Sequence, residues 1–342
     1  LMTYADSGDL REEVYKAYIS RSSDIGITSK KFNNRPIMDE ILKLRLELAQ
    51  LVGYSNYAEY STQSKMVSSA NAVVDFLNSL IDLSSAQAKS ELTDLESFAG
   101  HSLMPWDLMH YSEKLKQKTF NFKSSDLKPY FPEEKVFSGL FTTINNLYGV
   151  KLTEINETSY HPDVRVIELE GAKGFIGKIY LDVYARENKR GGAWMSDYQG
   201  LYKDALPVAF VVCNLNSPSD GKPALFDFNE IVTIFHEFGH AIHHLLTKVP
   251  FPCAAGISGV PWDGVELPSQ YMENFCYERS VVDLISGHWE TGDKLPQDLF
   301  KKLIDSKNFQ SGLQMLRQCE FALWDISTHI SDTDTYEILN KV

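Results

Sequence analysis

The chain has 342 residues, the length of one large domain or two ordinary ones, and its 43% apolar and 23% charged content is that of a globular protein with ample material for a core. A formal net charge of −13, from 33 basic and 46 acidic side chains, argues against a nucleic-acid partner held through its phosphates. The longest apolar run, Leu206 to Cys213, is far too short to span a bilayer, so no membrane partner is expected either.

In chain order, Leu10 to Ser20 has a helical alternation of charged and aromatic residues, and Pro36 opens a stronger helix. Ile37, Ile41, Leu44, Leu48 and Leu51 share one face of that helix, which ends at Gly53; Asn71 to Phe98 continues helically. Both apolar faces read as packing surfaces. Beyond Pro105, Pro129 and Pro132 a short helix covers Val136 to Tyr148 and is closed by Gly149. The period then becomes strand-like: Val164–Leu169 and Phe175–Tyr184 flank a glycine turn, and Val208–Cys213 is a third strand. A small sheet therefore precedes the next helix, with an edge on which an extended peptide could lie. Gly191 and Gly192 mark a place where backbone could approach a ligand closely, and they stand as candidate substrate-binding positions. The tail from Asp298 to His329 is helical again, with Phe300, Leu303, Phe321 and Leu323 among its expected core residues and His329 structural.

The chemistry is concentrated in Asp227 to Leu246, which contains His-Glu-x-x-His. On a helix, His236 and His240 fall one turn apart on one face, so two imidazoles converge on one ion with Glu237 beside them, the spacing of a zinc site with a built-in base. Asp227 with Glu230 three residues later forms a capping box, and Ile231, Ile234, Phe235, Phe238, Ala241, Ile242 and Leu245 make a wide buried stripe. A hydrolytic zinc keeps three protein ligands and an open position. Glu266, near the start of a second helical pattern running on to Ile285, is the candidate third ligand, and His243 is its competitor. Glu273, Asp263 and Glu230 are candidate hydrogen-bond partners for the ligand histidines.

These residues carry a resemblance. His-Glu-Phe-Gly-His, followed after the glycine-rich link Ala255–Pro261 by Trp-Asp-Gly-Val-Glu-Leu-Pro-Ser-Gln-Tyr-Met-Glu-Asn-Phe, is similar to the thimet oligopeptidase family of zinc metallopeptidases. Asn214-Leu215-Asn216, Gly221–Phe226 and Tyr180–Met195 resemble that family too. The likeness implies one Zn2+ held by His236, His240 and Glu266, Glu237 as the general base, and short peptides as substrates. It implies a mostly α-helical zincin-type metallopeptidase catalytic domain with a small antiparallel β-sheet, truncated at both ends. Residues 1–342 are then part of one catalytic domain: a helical portion 1–150, the sheet at 160–215, zinc-binding helices at 227–290 and a helical end at 291–342. The family's C-terminal Gly/Tyr-rich loop has no counterpart here, so a catalytically weak zinc- and peptide-binding fragment is the alternative to an active oligopeptidase.

Cys213, Cys253, Cys276 and Cys319 are scattered and form no Cys-x-x-Cys pair, which suggests neither a disulfide framework nor a thiolate metal site. With an opening Leu-Met-Thr-Tyr that does not resemble a signal peptide, a reducing, cytoplasmic setting is the expectation.

Overall fold

The computed structural model describes residues 1–26, 29–219, 221–331 and 334–342. In chain order its helices are α1 (Gly8–Ile19), α2 (Ser29–Phe32), α3 (Arg35–Leu51), α4 (Tyr57–Thr62), α5 (Ala70–Ala99), α6 (Leu108–Phe120) and α7 (Glu133–Tyr148), before strands β1 (Lys151–Ile155), β2 (Arg165–Gly171), β3 (Gly174–Tyr184), β4 (Trp194–Gln199) and β5 (Val208–Leu215). Then come α8 (Phe228–Leu245), α9 (Leu267–Glu273), α10 (Arg279–Ile285), α11 (Gln297–Asp305), α12 (Ser311–Ile330) and α13 (Thr335–Leu339). No helix among the described residues is long and apolar enough to cross a membrane. The chain divides into two compact units, Leu1–Asn121 with Asp305–Val342, and Phe122–Ile304.

The first unit is built on the pairing of α5 with α12, which bury Leu77, Cys319 and Leu323 between them. The Ser69 hydroxyl caps α5 by accepting from the Ala72 N–H at 3.1 Å. The N-cap residue of α12, Gln310, makes no side-chain capping bond, and Glu91 of α5 supplies one instead, accepting from Gly312 and Leu313 N–H at 3.2 and 2.9 Å. Two expectations change here. The α3 face read as a packing surface lies open, its five apolar residues 43–84% exposed, because periodicity identifies an apolar face and not what covers it. Phe321 of α12, expected in the core, is 51% exposed.

The second unit contains the sheet, in the order β1-β2-β3-β5-β4. The expected antiparallel sheet is corrected to a mixed one: β3 and β5 run parallel, while the other neighbours are antiparallel. The reason is β4, Trp194-Met195-Ser196-Asp197-Tyr198-Gln199, whose residues alternate neither in polarity nor in burial. It reverses the chain between β3 and β5, so β5 returns parallel to β3 and β4 becomes the edge. The β2–β3 hairpin closes at Gly171 opposite Gly174, whose φ of +106° suits only glycine. The sheet also begins earlier than expected, at Lys151.

Helix α8 packs on β5, β4 and β3. Its buried Phe238 meets Phe137 and Phe141 of α7 at ring-centroid distances of 6.2 and 6.0 Å, joining α8 to an aromatic core. Helix α7 comes close to α10 at Gly139, where a Cβ would lie 2.6 Å from the Leu284 backbone. The second helical pattern, expected to open within residues 262–270 and run on to Ile285, is broken into α9, a 3-10 turn Asn274–Tyr277 and α10. Glu278, extended at φ −89° and ψ 124°, makes the break.

Candidate metal centre

Helix α8 begins at a complete capping box. The Asp227 carboxylate accepts from the Glu230 N–H at 2.9 Å, and the Glu230 carboxylate accepts from the Asp227 N–H at 2.7 Å. Its interior places His236 and His240 one turn apart, with ring centroids 5.0 Å from each other and planes at 83°. Glu266 stands at the N-cap of α9 but makes no side-chain capping bond. Its carboxylate turns to the histidines instead, with Oε2 3.1 Å from His236 Nε2 and 3.0 Å from His240 Nε2. The three ligand atoms all lie within 4.8 Å of one another.

The close approach of α9 to α8 depends on Gly239. A Cβ at that position would meet the Ser269 Cα at 2.5 Å and the Pro268 carbonyl oxygen at 2.6 Å, so any larger residue would hold Glu266 away from the histidines. On the far side of His236, Nδ1 lies 2.6 Å from Glu273 Oε1. That carboxylate assigns the ring proton to Nδ1 and leaves the Nε2 lone pair facing the Glu266 carboxylate, two electron-rich atoms that repel unless a proton or cation lies between them. The Nε2–Oε2 separations are near the roughly 3.3 Å edge of a tetrahedron with bonds of 2.0–2.1 Å, and two imidazoles with one carboxylate form a hydrolytic zinc donor set. The residues present therefore fit a zinc ion.

Burial pushes the Glu237 carboxyl up to about 7, against the lowering influence of His236 and of a backbone hydrogen bond from Met195, and with some help from the nearby Glu266 charge. Burial likewise lowers His240, with Glu266 opposing it, and favours neutral imidazole, the form that binds metal. For Glu266, burial acts upward but is outweighed by the Ser269 hydrogen bond and the two histidines, so its carboxyl lies below the ordinary range.

The other candidates lie elsewhere. Glu230 was a possible partner for a ligand histidine, but its carboxylate closes the capping box, about 9 Å along the helix axis before His236. His243 does not join the converging atoms, since seven residues of rise carry it roughly 10 Å from His236. Asp263 is exposed in the 3-10 turn Trp262–Gly264 and is not among the converging groups.

Gly191 and Gly192 lie in the loop between β3 and β4, where Asn214 Nδ2 donates to the Arg190 and Gly192 carbonyls at 2.8 and 2.7 Å. A Cβ on either glycine would meet nothing within 4 Å, so their surroundings are open. The root of this loop is fixed by Asp182, 2% exposed, which accepts from Arg186 at 2.6 and 2.7 Å, from Lys189 at 2.8 Å and from Tyr160 at 2.8 Å. Burial alone would raise this carboxyl, but those donors outweigh it and lower it to about 2. A folded-state value below the ordinary 3.8 means stability that is complete above about pH 4 and is lost as pH falls toward 2. The contribution is roughly 2 kcal/mol. Asp182→Asn is expected to destabilise the fold at pH 7 and to flatten this acid limb in urea unfolding; parallel acid limbs for the two proteins would contradict the assignment.

Three contributors escaped sequence reasoning. The Met195 backbone N–H at the sheet edge faces Glu237 and favours its charged form, and Ser269 bonds Glu266. The third is His244, 1% exposed, whose Nε2 donates to the Gln199 carbonyl at 2.9 Å and ties the end of β4 to α8. A buried histidine one turn beyond His240 was a usable signal for it; the other two had none.

A helix bearing two histidines and a glutamate, laid across a small mixed sheet and met by a carboxylate from the next helix, defines the His-Glu-x-x-His class of hydrolase site. The chain belongs to peptidase family M3, whose sequence pattern matches residues 1–340, and the resemblance read from its motifs is borne out. Among its relatives, Oligopeptidase A of Salmonella typhimurium is 47% identical over 341 residues, covering 96% of this chain and 50% of that protein. Oligopeptidase A of Escherichia coli is 48% identical with the same coverage. The organellar oligopeptidase A (chloroplastic/mitochondrial) of Arabidopsis thaliana is 40% identical over 348 residues, covering 96% of this chain and 43% of that protein. The chain thus spans about half the length of the curated relatives it matches.

Proposed function

We propose that this chain carries the centre of a zinc-dependent endopeptidase acting on short peptides in the cytoplasm. The observation that carries the reading is the convergence of His236 Nε2, His240 Nε2 and Glu266 Oε2 beside the buried Glu237. His236, His240 and Glu266 hold one zinc ion, which when bound supplies a Lewis acid for the scissile carbonyl and acidifies a water. Glu273 orients the His236 ring. Strand β4, at the edge of the sheet, offers its outer backbone groups to an extended peptide, so the substrate chain is held by main-chain hydrogen bonds whatever its side chains. Beside the Met195 backbone, the Glu237 carboxylate takes a proton from the attacking water and returns it to the leaving amine nitrogen.

The test pairs elemental analysis with cleavage of an internally quenched fluorescent peptide. One zinc per chain is expected, with cleavage at an internal bond that is lost on chelation and regained with zinc, measured in a polypeptide of the relatives' full length carrying this segment. Zinc-free protein that cleaves at the same rate would overturn the reading.

A further inference from the structure

Ser269 lies at the third position of α9 with its side chain wholly enclosed, 0% exposed. Its Oγ is 2.8 Å from Glu266 Oε2 and 2.9 Å from the Glu266 carbonyl oxygen. A hydroxyl has one proton to give, and a carboxylate is the stronger acceptor of the two. A serine bonded only to the carbonyl three residues back would be an ordinary helix-start feature. Here the oxygen it reaches is the one that lies 3.0 and 3.1 Å from both histidine Nε2 atoms. The usual first-turn arrangement is also turned around: the N-cap side chain gives up capping, and the side chain three residues on holds it. The backbone of Ser269 is in turn seated against Gly239, the residue before His240, so the hydroxyl is positioned by the same helix that carries the two histidines.

We infer that Ser269 is a positioning residue for the metal centre: its hydroxyl holds Glu266 Oε2 at the point where the two imidazoles converge. The inference rests on the zinc reading above. Without the hydroxyl, the half-exposed Glu266 carboxylate is free to rotate away, and ordering it must be repaid from the binding energy of the metal.

The experiment measures zinc dissociation constants by chelator competition in four proteins: wild type, Ser269→Ala, Glu266→Ala and the double variant. Unfolding of the metal-free proteins is followed alongside. Ser269→Ala is expected to weaken zinc binding roughly 10- to 100-fold, the range for outer partners of metal ligands. Because Ser269 acts through Glu266, removing it in the Glu266→Ala background is expected to change the constant less than about twofold. An unchanged constant in Ser269→Ala overturns the inference. So does an equal weakening in both backgrounds, which would mark a role in the fold alone, whatever the unfolding curves show. Wild-type protein that binds no zinc would instead remove the metal reading itself, a result distinct from both.

Discussion

Glu237→Gln is expected to leave zinc occupancy at the wild-type level and to reduce peptide turnover roughly a hundred- to ten-thousand-fold, the contribution of a general base. The substitution keeps the size of the side chain and one of its two oxygens, so the 5%-exposed site loses a proton acceptor and little packing. Glu237 is adjacent in sequence to a ligand, but its carboxylate is not among the three converging groups, and zinc binding is for that reason insensitive to the change. The comparison belongs in a polypeptide of the relatives' full length, with zinc content and cleavage rate read on the same preparation. A variant that retains its rate would place the base elsewhere; one that loses its zinc would make Glu237 a ligand.

Removing a ligand acts on the other quantity. Structural zinc sites bind with roughly 10–16 kcal/mol, so one of three ligands carries several kcal/mol, and Glu266→Ala is expected to weaken zinc binding about a thousandfold or more. His236→Ala and His240→Ala are expected to behave alike. Glu273→Ala, which removes only the carboxylate at His236 Nδ1, belongs in the milder range of roughly 10- to 100-fold. Competition with a chelator of known affinity separates the two classes. Full zinc retention in Glu266→Ala would displace it from the ligand set, and a thousandfold loss in Glu273→Ala would promote Glu273 in its place.

The sequence by itself determined helix α8 and the shared face of its two histidines. A four-residue spacing on a 3.6-residue period puts His236 and His240 on one face wherever the helix lies, and the cap formed by Asp227 and Glu230 is local to one turn. The hairpin from Val164 to Tyr184 was equally legible, because alternation and a glycine turn are properties of adjacent residues. Tertiary structure decided the rest. That β5 enters between β3 and β4, making the sheet mixed, depends on a strand with no alternating pattern of its own. Glu230, Glu273 and Asp263 were indistinguishable as carboxylates near the motif until packing assigned one to a cap, one to His236 and one to an exposed turn. The positions of Ser269 and Gly239 matter only because two successive helices, joined by a long link, touch there within a distance that admits no Cβ. Local periodicity specifies which face an element buries; which partner meets that face, and at what distance, follows from contacts between residues the sequence keeps apart.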